Sequence, residues 1–182
     1  MIGPMDSRYP VGTFAFDEVI TPAKRRDWVA QIDALPHHLK QALAELPPGA
    51  LDTPYRDGGW TARQVVHHLA DSHLNAFTRI KLALTEDTPA IKTYEEQFWA
   101  ELPDSRNLDP APSVSILEGV HTRLNTLLES LTPEQFARTA THPQWGLISV
   151  DFLVQMYAWH CRHHVAHIRQ SAERATLSRS AV

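Results

Sequence analysis

Apolar residues recur every three or four positions through most of this chain, the period of helices with one buried face. Trp28, Ile32, Leu35, Leu39, Leu43 and Leu46 share such a face up to about residue 46. Thr21-Pro22 supplies the start, with Thr21 as N-cap and Pro22 at the first helical position. Pro36 predicts a kink or two abutting helices, and Pro47-Pro48-Gly49 ends the segment. After a loop over residues 49–60, Thr61 and Gln64 form a capping box for a second helix reaching about Leu84. Its main stripe is Val66, Leu69, Ala70, His73, Phe77, Ile80 and Leu84. A second seam, nearly opposite, is Val65, His68, Ser72, Asn75, Arg79 and Leu82. A helix with two such faces is flanked on both sides, by helices of its own chain or by another subunit.

The third long helix runs from Ser113 to Leu131, with Leu117, His121, Leu124, Leu128 and Leu131 on one face. The fourth runs from Val150 to about Arg174. Residues 85–112 form a long acidic and proline-rich connection, in which Tyr94 to Leu102 predicts a short helix packing Phe98, Trp99 and Leu102. Thr132-Pro133-Glu134-Gln135 starts another short helix. His142-Pro143 to Gly146 reads as a turn with Leu147-Ile148 briefly extended, and no convincing β pattern appears. Residues 1–20 read as an extended arm and Ala175 to Val182 as a frayed tail. The 182 residues thus predict one all-α domain, a four-helix bundle with short extra helices in its long connections.

The fourth helix carries an anomaly. Four of the eleven histidines fall between residues 160 and 167. At about 100° per residue, Met156, Tyr157, His160, His164, His167, Ile168 and Ser171 lie within roughly 60° of Leu153. His160 and His164 therefore sit mid-stripe, with His163 at the edge. A buried imidazole needs partners for both nitrogens. Two of them one turn apart can converge on a divalent ion, as in the helical half of many zinc sites. Core histidines bonded to backbone or water are an equally good reading of HxxxH alone. A third ligand must come from elsewhere, and on the second helix the apolar stripe favours His73 over His67 and His68.

Composition excludes more than it selects. The net charge is -4 and the pI about 6.2, with no basic surplus for nucleic acid or an anionic membrane. No run of 18 apolar residues marks a membrane span. The N-terminus lacks a signal-peptide pattern. The single cysteine, Cys161, forms no internal disulfide, so a cytoplasmic location is expected.

The segments LDTPYRDGGWTARQVVHHLADSH, TEDTPAIKTYEEQFWAEL and YAWHCRHHVAHI, with YPVGTF near the N-terminus, resemble the DinB/YfiT-like family of metal-dependent hydrolases. The likeness covers nearly the whole chain. It implies an antiparallel four-helix bundle, commonly a homodimer, with one divalent transition metal held by three histidines. The histidine that ends the WTxRQVVHH pattern maps to His68, and the HxxxH pair maps to His160 and His164. The resemblance therefore overrules the periodicity preference for His73. Three imidazoles suit Zn²⁺ or Ni²⁺.

The expected function is hydrolysis of a small molecule at this three-histidine site, whose open positions admit water. One alternative is transfer of a bacillithiol-type thiol to an electrophile, as some relatives are thought to do. A second is a non-catalytic, metal-stabilised binding or stress protein. Cys161 reads as a small helix residue pointing away from the ion. Asp71 reads as a solvated carboxylate and Arg79 as an ion-pair residue, with anchoring of an anionic group as its alternative. Trp60, Trp99, Trp145 and Trp159 read as core, and Ser72, Asn75 and Arg79 as donors facing a substrate.

Overall fold

The computed structural model describes residues 6–180; residues 1–5 of the expected arm and 181–182 of the expected tail lie outside them. Helices α1 (Pro22–Asp33) and α2 (Leu35–Ala44) abut at Ala34, where Pro36 prevents a continuous helix. Helix α3 (Ala62–Thr85) opens with the expected capping box, Gln64 N–H on Thr61 Oγ1 and Thr61 N–H on Gln64 Oε1. Two short helices, α4 (Glu96–Trp99) and α5 (Pro103–Asn107), lie in the connection to α6 (Ala111–Glu129). The single turn α7 (Pro133–Phe136) and strands β1 (Thr139–His142) and β2 (Gly146–Ser149) lead to α8 (Val150–Ser180).

The long helices form a four-helix bundle. Contacts between them fix the directions. His68 and Arg79 of α3 meet His160 and Tyr157 of α8, so these two helices are antiparallel. His67 and His73 of α3 meet Ser113 and His121 of α6 in rising order, so those two are parallel. Arg25 pairs with Asp151 and Glu45 with Arg169, which sets α1–α2 parallel to α8. Two parallel pairs thus run against each other. A 24-residue helix is about 36 Å long, and a parallel neighbour requires the chain to travel back that distance. The long connection before α6 does this.

Its surface course explains a departure from expectation. Phe98 is 71% exposed and Leu102 50%, because a one-turn helix has too little surface to bury three large side chains. Trp99 and Trp145 are exposed as well, and Trp60 and Trp159 only half-buried. The connection is held by hydrogen bonds instead: Ile91 N–H bonds Thr141 O at 2.8 Å, Thr141 N–H bonds Pro89 O at 2.9 Å, and Gln64 of α3 donates to Ala100 O at 2.8 Å. The fold is all-α as expected; the small β1–β2 hairpin departs only from the reading that no convincing β pattern is present. Its strands pair Ala140 with Ile148, and Gly146 supplies the positive φ of the turn. Four residues per strand are too few for a period-two pattern to stand out. At the other end, α8 continues to Ser180 with no breaker in its sequence; Arg174 pairs with Asp57, and Arg179 reaches Pro48 O.

Both faces of α3 are buried by its own chain, against α6 on one side and α8 on the other. The two-sided pattern therefore needs no second subunit. The arm docks on α8: Gln155 accepts from Asp17 N–H at 2.9 Å and donates to Asp17 O at 3.2 Å, and Trp159 donates to Gly12 O at 3.0 Å. None of the described helices is long and apolar enough to cross a membrane.

Candidate metal centre

His68 projects from α3 toward α8, which presents His160 and His164 one turn apart on its facing stripe. All three are buried, and one ring nitrogen from each lies within 4.8 Å of the other two. Among the described residues no fourth histidine, cysteine or carboxylate joins this group. The rings line a cavity of about 560 Å³ between α3, α8 and the connections, together with Tyr55, Trp60, Ser72, Arg79 and Tyr94.

Burial pushes all three imidazoles toward the neutral form. It lowers His68 to about 4 and takes His160 and His164 well below the usual histidine range. Neutral imidazole is the ligating form. A tetrahedral ion about 2.0–2.1 Å from each nitrogen sets neighbouring nitrogens about 3.3 Å apart. Nε2 of His68 and Nε2 of His160 stand at 3.2 Å.

A chain of imidazoles fixes which nitrogen of His160 is bare. The carbonyl of Ile32 can only accept, so His121 Nδ1 donates to it at 2.7 Å. Burial holds His121 at about 4 and His73 well down, so both are neutral. His121 Nε2 then accepts from His73 Nδ1 at 3.0 Å, and His73 Nε2 accepts from His160 Nδ1 at 3.3 Å. The proton of His160 is thereby held on Nδ1, and Nε2 offers its lone pair toward His68. Ligating histidines characteristically donate their other N–H in this way. His164 Nδ1 faces His167 Nδ1 at 3.4 Å, and a proton given to His167 leaves His164 Nε2 bare. The donor set fits a divalent transition ion.

The other candidates separate from this group. His73 is on the apolar stripe because it belongs to the bundle interior, and it supports His160 without joining the triad. His67 is closed by Ser113 Oγ at 2.8 Å and Leu108 O at 3.1 Å. Cys161 turns its Sγ toward His73, 4.0 Å from Nε2, and burial pushes its thiol up. Asn75 does not reach the cavity; its Nδ2 donates to Asp71 O at 2.8 Å, an intrahelical bond that turns it along α3. Asp71 is half-buried instead of solvated, and burial beside Asp104 raises it to about 6. Arg79 has no carboxylate partner among the described residues, against the ion pair expected for it.

A second cluster was not resolved by sequence reasoning. His163, His164 and His167 also place nitrogens within 4.8 Å of one another. His167 stacks on Tyr55 at 3.8 Å and His163 on Trp159 at 4.4 Å. Spacing places these three on neighbouring turns of α8 and Trp159 one turn before His163, but Tyr55, the ring partner of His167, comes from a distant segment that periodicity cannot see.

Fold and centre together define a helical bundle with a three-histidine group between two antiparallel helices. Residues 31–168 match the sequence model of the DinB superfamily, and the chain belongs to that superfamily. YfiT of Bacillus subtilis (strain 168), provisionally named a metal-dependent hydrolase, is 46% identical over 167 residues, 91% of this chain and 94% of its own. A relative in Oceanobacillus iheyensis with the same provisional description is 48% identical over 170 residues, 93% of this chain and 98% of its own. The solved structure of YfiT is described as a probable metal-dependent hydrolase with an unusual four-helix bundle topology. It matches with a TM-score of 0.89 at 44% identity, covering 93% of this chain and 98% of its own. A mycothiol-dependent maleylpyruvate isomerase matches at a TM-score of 0.64 and 13% identity, over 79% of this chain and 60% of its own. At that identity the likeness is one of fold.

Proposed function

We propose that this protein is a metal-dependent hydrolase of a small molecule, with His68, His160 and His164 holding one zinc or nickel ion per chain. The observation that carries the reading is a group of three buried neutral imidazoles, with no fourth protein donor among the described residues, on the wall of a cavity large enough for a ligand. A structural zinc site is closed by four protein ligands, whereas a catalytic one keeps a position free. A divalent ion held here supplies Lewis acidity and lowers the pKa of water toward neutrality.

The protein's own contribution is orientation. The chain from Ile32 through His121 and His73 holds His160 in one tautomer. Trp60 packs on His68 with ring centres 4.7 Å apart. Burial raises the phenols of Tyr94 and Tyr157, so both stay protonated and can donate to a substrate oxygen.

The test is turnover of an ester and amide panel by metal-loaded protein, set beside thiol plus electrophile. Hydrolysis that disappears in His68→Ala, His160→Ala and His164→Ala is expected. Turnover only of thiol plus electrophile would overturn the hydrolase reading and leave the alternative. The homodimer implied by the resemblance is likewise a proposal, and a monomeric mass by light scattering at micromolar concentration would sink it.

A further inference from the structure

Arg79 is only 8% exposed and lines the same cavity as the three histidines. Its guanidinium donates to Lys92 O at 2.9 Å and, over a long 3.4 Å, to Tyr157 Oη. Both partners are neutral. Its Nε is buried and has no partner among the described residues. The contrast is Arg25, which grips Asp151 through Nε and Nη2, both at 2.8 Å. A guanidinium stays charged at any physiological pH, and buried charge is normally matched by an opposite one. Glu95 and Glu96 also border the cavity, but they are exposed and beyond ion-pair distance of Arg79. Arg8, at another edge, is already paired with Asp6.

The position of Arg79 relates it to the centre. The Tyr157 ring stands edge-on to His160, centres 5.7 Å apart, and its hydroxyl meets Arg79. One tyrosine therefore separates the guanidinium from the histidine group. We propose that Arg79 anchors a carboxylate of the substrate while the bond to be cleaved lies at His68, His160 and His164. The second half rests on the hydrolase reading; the anchor itself does not. A carboxylate is the fitting anion, because one guanidinium offers a single charge and a planar edge for two oxygens. The nearby hydroxyls of Ser72 and Tyr157 add neutral donors. The substrate class is a small carboxylated ester or amide.

The experiment compares N-acetylglycine with N-acetylglycinamide, by calorimetry on metal-loaded protein. The acid is expected to bind about tenfold or more tighter than the amide. Arg79→Gln should erase that preference and leave amide binding unchanged. Arg79→Lys keeps the charge but not the planar edge, so it should weaken the acid alone; it decides the matter should the glutamine variant not fold. His160→Ala, measured without the ion it no longer holds, should keep the preference while losing turnover. Acid and amide binding alike, or neither binding, overturns the anchor. So does a preference that survives in Arg79→Gln, since the acid would then be held by the ion. An Arg79-dependent preference in a protein that hydrolyses nothing would leave the anchor standing and sink the hydrolase reading.

Discussion

On the α6 side of α3, His73 is fully buried and each of its ring nitrogens meets another imidazole, in a chain that ends on the Ile32 carbonyl. On the α8 side, His68 meets His160 and His164 nitrogen to nitrogen beside a cavity, and the nearby Arg79 leaves Nε without a partner among the described residues. The same helix thus buries polar groups in two ways. Donors and acceptors cancel within the closed face, which fixes geometry. Within the open face lone pairs and charge are left over, and something other than the protein must meet them. Burial is common to both faces; the surplus marks the site.

The sharpest way to break this comparison is to remove a group from the open face. His68→Ala, His160→Ala or His164→Ala should each reduce metal content from about one ion per chain to near zero after dialysis against a weak chelator. Elemental analysis decides it, and a variant that keeps the ion would show that the centre lies elsewhere.

Acid should act on both faces at once. His68, His121 and His163 are held at about 4 by burial, so the folded protein keeps them neutral where the unfolded chain takes up protons. Their folded affinity for protons is lowered, so the stability they contribute is present above about 6.5 and lost as pH falls toward 4. Each tenfold reduction in proton affinity corresponds to about 1.4 kcal/mol. The melting temperature should be level above pH 7 and drop steeply below 6, and bound metal should leave over the same range. A melting temperature unchanged down to pH 4.5 would contradict this.

Disturbing the closed face should have a smaller, indirect effect. His121→Leu strips His73 of its acceptor, at a cost of about 1–3 kcal/mol. It should weaken metal binding about 10–100-fold by releasing the His160 tautomer, read as a shift in chelator competition. Unchanged affinity would mean that the imidazole chain does not govern the centre. The smallest effect belongs to His67→Ala, which loses bonds to Ser113 and Leu108. A loss of about 1 kcal/mol in denaturant unfolding with full metal content is expected.

The bundle was legible because its signals are local and repeat over many turns. The Thr21 and Thr61 caps, the break at Pro36 and the stripes of α3, α6 and α8 all lie within short windows of sequence. The centre was less so. An apolar stripe reports burial, and His73 is the more deeply buried of the two, so periodicity pointed to the supporting histidine. Only the family motif singled out His68. The hairpin was hidden by its brevity, and the exposure of Phe98 and Trp99 by the absence of any local sign of what lies above them. Nor could spacing show that Arg79 meets no carboxylate among the described residues, since the partners of a buried charge come from distant segments.

The most direct test of the central claim is the X-ray absorption spectrum of the metal-loaded protein. The account predicts three imidazole nitrogens at about 2.0–2.1 Å, with the remaining coordination filled by light, non-imidazole atoms. Four imidazoles would mean that His73 or His167 has joined and the centre is closed. A sulfur at about 2.3 Å would bring in Cys161. Either result would contradict the division between an open and a closed face.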